Sequence, residues 1–239
     1  SSGQLSWEGE AYHALTIDVT DGMMPNVASP FGGVLRLNVS GDCYVDGGGA
    51  DYSCFEGFDC VLITGEGSLR FENTAGLECG GGMLPVPAVV VDGDVDVCCE
   101  NFLAQPNEGC GLTVAVLNGT LRTDLLRWRN GDMLIAGGVM TVRSISTLNP
   151  ITVTCRDGVL LLDWPSDYEM TFVLSGGEAY LAGPLNEGTI VESGAGILAA
   201  QDVSAAEIHG DGASVLGGEE AESWYSRRRT ARTGATPPI

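Results

Sequence analysis

Short apolar segments separated by glycine-containing turns constrain this chain more than any other feature of its sequence. The clearest stretch runs from Leu112 to Cys155, where apolar residues recur at alternate positions between Asn118-Gly119, Asn130-Gly131 and Gly137-Gly138. Alternate side chains of a β-strand face the same side, so this periodicity predicts strands. Glycine and asparagine accept positive φ, which predicts a tight reversal at each turn. Because the pattern recurs through most of the chain, we predict an all-β fold.

Two all-β architectures fit the spacing of the turns. From Gly176 onward the apolar segments shrink further, and glycine pairs or Asn186-Glu187-Gly188 separate them. Short strands at such intervals occur both in β-solenoids and in β-sandwiches. Small residues at the turns and only 7% aromatic residues favour the first of these. We therefore predict a glycine-rich β-solenoid, a β-helix-like stack of short strands, with a β-sandwich or jelly roll as the alternative.

Composition divides the chain into a body and an arm. Residues 1–218 form the predicted all-β body, and residues 41–110 within it hold seven of the eight cysteines. Residues 219–239 are polar and carry four of the 11 basic residues. A segment of this composition is disordered when isolated, so we expect an extended C-terminal arm held by a neighbouring subunit. A helical turn on the protein's own surface is the alternative.

The charge balance excludes several classes of function. The net charge is −21, and all 11 basic residues are arginine, so no chemistry that needs a lysine is available. An acidic surface repels nucleic acid and anionic lipid, so we expect neither as a partner. The longest apolar runs are strand-sized, which predicts a soluble protein without membrane insertion. The setting that we expect is a virion or the extracellular space.

Eight cysteines form an even set whose pairing the sequence cannot fix. Their spacing matches no zinc template, and the chain has only two histidines. We expect disulfides formed in an oxidising, extracellular setting, with a loop-rich, stapled excursion over residues 41–60. Free thiols in the core are the alternative.

The sequence contains no recognisable catalytic set. Its two histidines, His13 and His209, lie near opposite ends of the chain, and no nucleophile elbow accompanies them. We therefore expect no enzyme and no cofactor. Asp92, Asp94 and Asp96 alternate along one predicted strand and are candidate Ca²⁺ ligands, with a solvated strand face as the alternative.

The C-terminal arm combines aromatic residues with an arginine cluster. Aromatic and arginine side chains dominate the energetics of many protein interfaces, and arginines complement an acidic partner. We predict that this arm contacts other copies of the chain or other assembly proteins. The predicted partner-binding residues are Trp224, Tyr225, Arg227, Arg228, Arg229 and Arg232.

Three functional hypotheses follow. The first is a non-enzymatic structural subunit of an extracellular assembly, a bacteriophage or archaeal-virus component such as a decoration, fibre, tail or baseplate protein, which forms a homo-oligomer through its arm. The second is a β-helix that binds or cleaves carbohydrate, as a tailspike or an adhesin does. The third is a secreted surface-layer protein. The fold and the general character of the sequence do not distinguish these three hypotheses, because function depends on the residues of a site.

Overall fold

The computed structural model describes residues 5–8, 14–29, 32–128, 131–147, 149–164, 169–210 and 215–233. In these residues the protein is nearly all β, with one helix near the C-terminal end, which confirms the predicted all-β class. The elements are β1 (Leu5–Glu8), β2 (Ala14–Pro25), β3 (Val34–Asp46), β4 (Ser53–Cys54), β5 (Cys60–Glu72), β6 (Gly76–Gly80), β7 (Val89–Val91), β8 (Asp94–Gln105), β9 (Leu112–Val116), β10 (Thr120–Trp128), β11 (Asp132–Ile135), β12 (Val139–Thr147), β13 (Ile151–Cys155), β14 (Val159–Trp164), β15 (Met170–Leu174), β16 (Glu178–Leu181), β17 (Ile190–Ser193), β18 (Ile197–Ala200), β19 (Glu207–Gly210), β20 (Val215–Leu216) and α1 (Gly218–Thr233).

The strands pair in three parallel rows. Row A contains the first halves of β2, β3 and β5, followed by β7, β9, β11, β13, β15, β17 and β19. Row B contains the second halves of β2, β3 and β5, followed by β8, β10, β12, β14, β16, β18 and β20. Row C joins β4 and β6 to the later parts of β8, β10 and β12. The pair β1–β2 is antiparallel. Sandwiches and jelly rolls are built from antiparallel sheets, so the structure does not support that alternative.

Parallel pairing also corrects the predicted reversals. Asn118-Gly119 joins β9 to β10, yet β9 pairs with β7 and β11, while β10 pairs with β8 and β12. The turn is therefore a corner between two rows and not a hairpin. The segment from Gly65 to Gly67 is likewise not a hairpin: it lies inside the continuous strand β5, where Gly65 takes the corner position between rows A and B. A local sequence favours a change of direction there but does not specify which strand becomes the neighbour.

The core lies between the rows and is built by stacking equivalent side chains. Val114, Met133, Val153 and Phe172 follow one another in register along row A, and each is fully buried. In β13 and β15 the residues between the buried ones are partly exposed, so the alternation read from the sequence separates core from surface along these two strands. In β9, by contrast, Thr113 and Ala115 on either side of Val114 are buried as well.

A column of stacked glycines forms the corner between rows A and B. A Cβ atom at Gly177 would lie 2.7 Å from the carbonyl oxygen of Gly158, and one at Gly158 would lie 2.8 Å from that of Gly138. The same carbonyl oxygens accept backbone hydrogen bonds of 2.9 Å from Glu178 and Val159. No side chain fits between backbones that approach this closely. The column comprises Gly65, Gly93, Gly119, Gly138, Gly158, Gly177 and Gly196.

The cysteines do not form the predicted disulfides, because all eight are free thiols. Their partners on neighbouring strands are not cysteines: Cys43 lies opposite Leu69, and Cys155 lies opposite Leu174. Both are completely buried, so they fill the core as small apolar residues, which was the alternative. Burial raises the pKa of the Cys155 thiol to about 12. The stapled excursion expected over residues 41–60 is also wrong in part, since β3 continues to Asp46 and β4 follows within it.

The C-terminal arm is helical where the structure describes it, not extended. Helix α1 packs against β16 and β18 of its own chain, and residues 234–239 lie outside the described part. Glu219 and Glu220 occupy its first turn, and its arginines follow toward the other end. Both placements suit the helix dipole, which explains why a polar segment forms a helix. No helix in the described ranges is long and apolar enough to cross a membrane.

Candidate functional site

Helix α1 is anchored to the body through one aromatic pair. The Trp224 ring stacks on the ring of Tyr180, with 6.4 Å between centroids and 22° between planes. Tyr180 is fully buried, and its hydroxyl donates a hydrogen bond of 2.8 Å to Glu178 Oε2. Ala221, one turn before the tryptophan, is also buried in this cluster. The aromatic residue that was predicted to hold a partner thus holds the protein's own helix.

The outer surface of row B explains how the helix finds its place. Leu161, Tyr180 and Ala199 follow one another in register at an outward position, and all three are buried. On an uncovered sheet these positions would be polar. The sequence indicates that this outer surface is covered, because Val159–Leu162 is apolar on both faces. Tyr180 could have been identified as part of the covered surface only by aligning this segment with the next strand.

Arg227, the first arginine of the predicted cluster, lies on the exposed part of the same helix. Arg227 is exposed, its guanidinium carbon lies 4.6 Å from the centroid of the Trp224 ring, and its Nε donates a hydrogen bond of 3.1 Å to the Ser223 carbonyl. A cation over an aromatic face is favourable by about 0.5–1 kcal/mol at exposed sites. The remaining predicted residues, whose side chains lie outside the described part, are Tyr225, Arg228, Arg229 and Arg232. Their contact with a partner stays a prediction.

A second candidate site is a groove of about 500 Å³ at the corner between rows B and C. Glu100, Asp124, Arg143 and Asp163 take the corner position of the successive strands β8, β10, β12 and β14. Adjacent strands are about 4.8 Å apart, so each charged side chain neighbours the next. Arg122 lines the same groove. These residues were not identified as a site from the sequence, because only the register of distant strands brings them together.

The groove presents charge but not a reactive thiol. Arg122 forms an ion pair of 2.7 Å with Asp96, and both side chains are about two-fifths exposed, at 40% and 41%. Such a pair contributes at most about 1 kcal/mol. Partial burial, together with the Asp96 carboxylate, raises the pKa of Cys98, which also lines the groove. Because a neutral thiol is a poor nucleophile, the groove is suited to binding.

The three candidate Ca²⁺ ligands do not converge. Asp92 Oδ1 accepts a hydrogen bond of 2.7 Å from Asn118 Nδ2, and Asp96 pairs with Arg122. Asp94 is exposed and lies opposite Glu66 on β5. Among the described residues, no three or more histidine, cysteine, aspartate or glutamate side chains could together hold a metal ion. Asp92 and Asp96 are therefore held by separate partners.

In comparisons with protein families, with curated proteins and with solved structures, no match to this chain was found.

Proposed function

We propose that the chain is a β-solenoid and a non-enzymatic structural subunit of an extracellular assembly, a virion component such as a decoration, fibre, tail or baseplate protein of a bacteriophage or an archaeal virus. The repeated parallel register supports the solenoid: one circuit takes 20 residues from Met133 to Val153 and 28 from Val61 to Val89. Such a coil is a rigid body whose faces serve for contacts with neighbours. A secreted surface-layer protein would contact its neighbours through the faces of a rigid body in the same way.

The observation that carries this proposal is a basic helix fixed to the outside of an acidic body. The whole chain has a net charge of −21, while Arg227 is exposed on α1 beside three further arginines of the helix. Because Trp224 anchors the helix on Tyr180, Arg227 is presented from a defined surface. Opposite charges on two copies then steer association and set its register.

The body offers an acceptor for these arginines on row B. Glu66 and Asp94 lie opposite each other on β5 and β8, and both are exposed. Like charges placed directly opposite on neighbouring strands destabilise a sheet. A guanidinium from another copy would relieve this repulsion and bind carboxylates with good geometry. The proposed contact is therefore helix α1 of one copy on this acidic pair of the next.

Charge reversal on the helix tests the proposal. In the variant R227E/R228E/R229E we expect the assembly to dissociate while the circular dichroism spectrum of the fold is retained. Sedimentation velocity and native mass spectrometry measure the change. An unchanged assembly mass would contradict the helix contact, as would a wild-type protein that stays monomeric over the accessible concentration range.

A control and a rescue make this test specific. The variant R70E/R127E/R156E changes the net charge equally but alters exposed arginines of the body, and it should assemble as the wild type does. The variant E66R/D94R reverses the charge of the acidic pair. Mixing it with the variant R227E/R228E/R229E should restore association between the two proteins. Failure of the rescue would place the acceptor elsewhere on the body.

The groove supports a second candidate function, carbohydrate binding or cleavage. Its carboxylates, including Asp124, can accept hydrogen bonds from sugar hydroxyls, and Arg143 can bind an acidic sugar. A glycan panel, with release of reducing ends as the readout for cleavage, tests this function. Binding that is lost in D124N and R143A but kept in E66Q would support it, and the absence of binding would remove it.

A further inference from the structure

The last strand of row A is an uncovered edge of the sheet. In the described residues β19 pairs with β17 alone, and all of its residues are exposed. Ile208 is 39% exposed, although Val191 and Phe172, which precede it at the same core-facing position, are fully buried. A core-type side chain therefore stands where one further strand would cover it. Edges of this kind are templates for pairing with another chain.

The hydrogen bonding of β19 shows which backbone groups are available. The Glu207 N–H donates to the Thr189 carbonyl at 2.8 Å, so residue 207 directs its backbone groups toward β17. Along a strand these directions alternate from residue to residue. The N–H and C=O of Ile208 consequently point away from β17, toward the open side. An incoming strand would bond to this residue first.

The side chains of β19 are complementary to a second copy of β19. Glu207 and His209 flank Ile208 and already attract each other, with 2.8 Å between Glu207 Oε1 and His209 Nε2. In an antiparallel pair centred on Ile208, each Glu207 lies opposite the partner's His209, and each His209 lies opposite the partner's Glu207. The two isoleucines then form the hydrogen-bonded pair, while the acid and the histidine occupy the closer, non-hydrogen-bonded positions. The surface is thus self-complementary, as a two-fold interface must be.

We propose that two copies of this chain join end to end through antiparallel pairing of their β19 strands, about a two-fold axis at Ile208. The contact continues row A across both copies and buries the exposed isoleucine in a shared core. It is independent of the arginine contact of helix α1. The partner is a second copy and not a different protein, because each strand supplies both the carboxylate and the histidine that the other requires.

Cross-linking tests the register directly. In an antiparallel hydrogen-bonded pair the Cα atoms lie about 5.5 Å apart, which suits a disulfide. We expect I208C, in a background where the accessible Cys98 and Cys110 are replaced by serine, to form a covalent dimer on treatment with copper phenanthroline. V215C in the same background lies on β20, away from the axis, and should form no covalent dimer under the same treatment. If the I208C variant forms no covalent dimer, the proposal is overturned.

Charge variants test the complementarity in solution by analytical ultracentrifugation. I208K places two like charges opposite each other at the axis and should weaken the dimer by more than about tenfold. E207K should weaken it as well, because the partner's His209 then faces a cation. The exchange E207H/H209E keeps every opposite pair and should dimerise as the wild type does.

Two further outcomes of the solution measurements bear on the β19 dimer. In the R227E/R228E/R229E background, which lacks the helix contact, masses that grow beyond two copies would indicate head-to-tail stacking. A variant that stays monomeric in that background would leave the edge to a strand from another protein. Either result refutes the two-fold dimer. The R227E/R228E/R229E variant should still cross-link through I208C. Failure of the helix contact and failure of the β19 contact are therefore distinguishable.

Discussion

Replacing Gly177 by alanine tests how closely successive strands approach at the corner between rows A and B. The new Cβ atom would lie 2.7 Å from the Gly158 carbonyl oxygen, 2.8 Å from the Cys155 carbonyl carbon and 2.9 Å from the Cys155 Cβ. All of these atoms belong to the backbone or are fixed directly to it. No flexible side chain can move aside, so the two strands must separate locally.

The size of the effect follows from the cost of overpacking. Forcing extra atoms into a filled interior costs about 1–3 kcal/mol. With an m-value of about 3 kcal/mol per molar urea, the urea midpoint should fall by about 0.3–1 M. Equilibrium unfolding followed by circular dichroism measures this shift. An unchanged m-value would indicate that the variant exposes the same surface on unfolding.

Gly111→Ala is the matched control. A Cβ atom at Gly111 would have no neighbour within 4 Å, and its backbone is not in the left-handed region. Its free energy of unfolding should therefore stay within about 0.5 kcal/mol of the wild type. If Gly177→Ala unfolded at the same midpoint as this control, the close stacking of the glycine column would be refuted.

Two further predictions concern the buried thiols and the helix. Burial raises the pKa of Cys155 from 9.0 to about 12, so above pH 9 the unfolded chain loses a proton that the folded chain keeps. The free energy of unfolding should then fall by up to about 1.4 kcal/mol per pH unit for this thiol. Urea titrations at increasing pH measure this slope, and Cys155→Ala should reduce it. A slope identical to that of the wild type would contradict the pKa shift. Trp224→Ala removes the stack on Tyr180, worth about 0.5–1.5 kcal/mol beyond burial, and should speed cleavage by trypsin after Arg227. The exposed variant Glu222→Ala should be cut at the wild-type rate, and equal rates for both would show that the stack does not hold the helix.

Strand positions could be read from the sequence because their signal is local. Apolar and polar residues alternate through Leu15–Val19 and Leu35–Val39, and β2 and β3 contain these segments. Alternation of polar and apolar residues is a property of a few consecutive side chains, and it fixes which of them can face a core. The break at Asp92-Gly93 likewise separates β7 from β8.

Pairing could not be read, because it joins distant residues at unequal intervals. Gly65 stacks with Gly93, 28 residues later, whereas Gly158 stacks with Gly177, 19 residues later. The longer intervals between the early strands therefore hide the repeat, and a glycine at a corner resembles a glycine in a hairpin. The carboxyl and guanidinium groups of the groove come together only through the same register.

The sequence by itself determined an all-β, acidic, lysine-free chain with turns at its glycines, since these properties depend on composition and on neighbouring residues. Tertiary structure alone decided that the strands run parallel, that the cysteines are free thiols, six of them buried, and that the arginine-bearing segment is a helix held by Trp224 on Tyr180. Each of these depends on which distant residues meet, and the free energy of such contacts is not encoded in any single stretch of the chain.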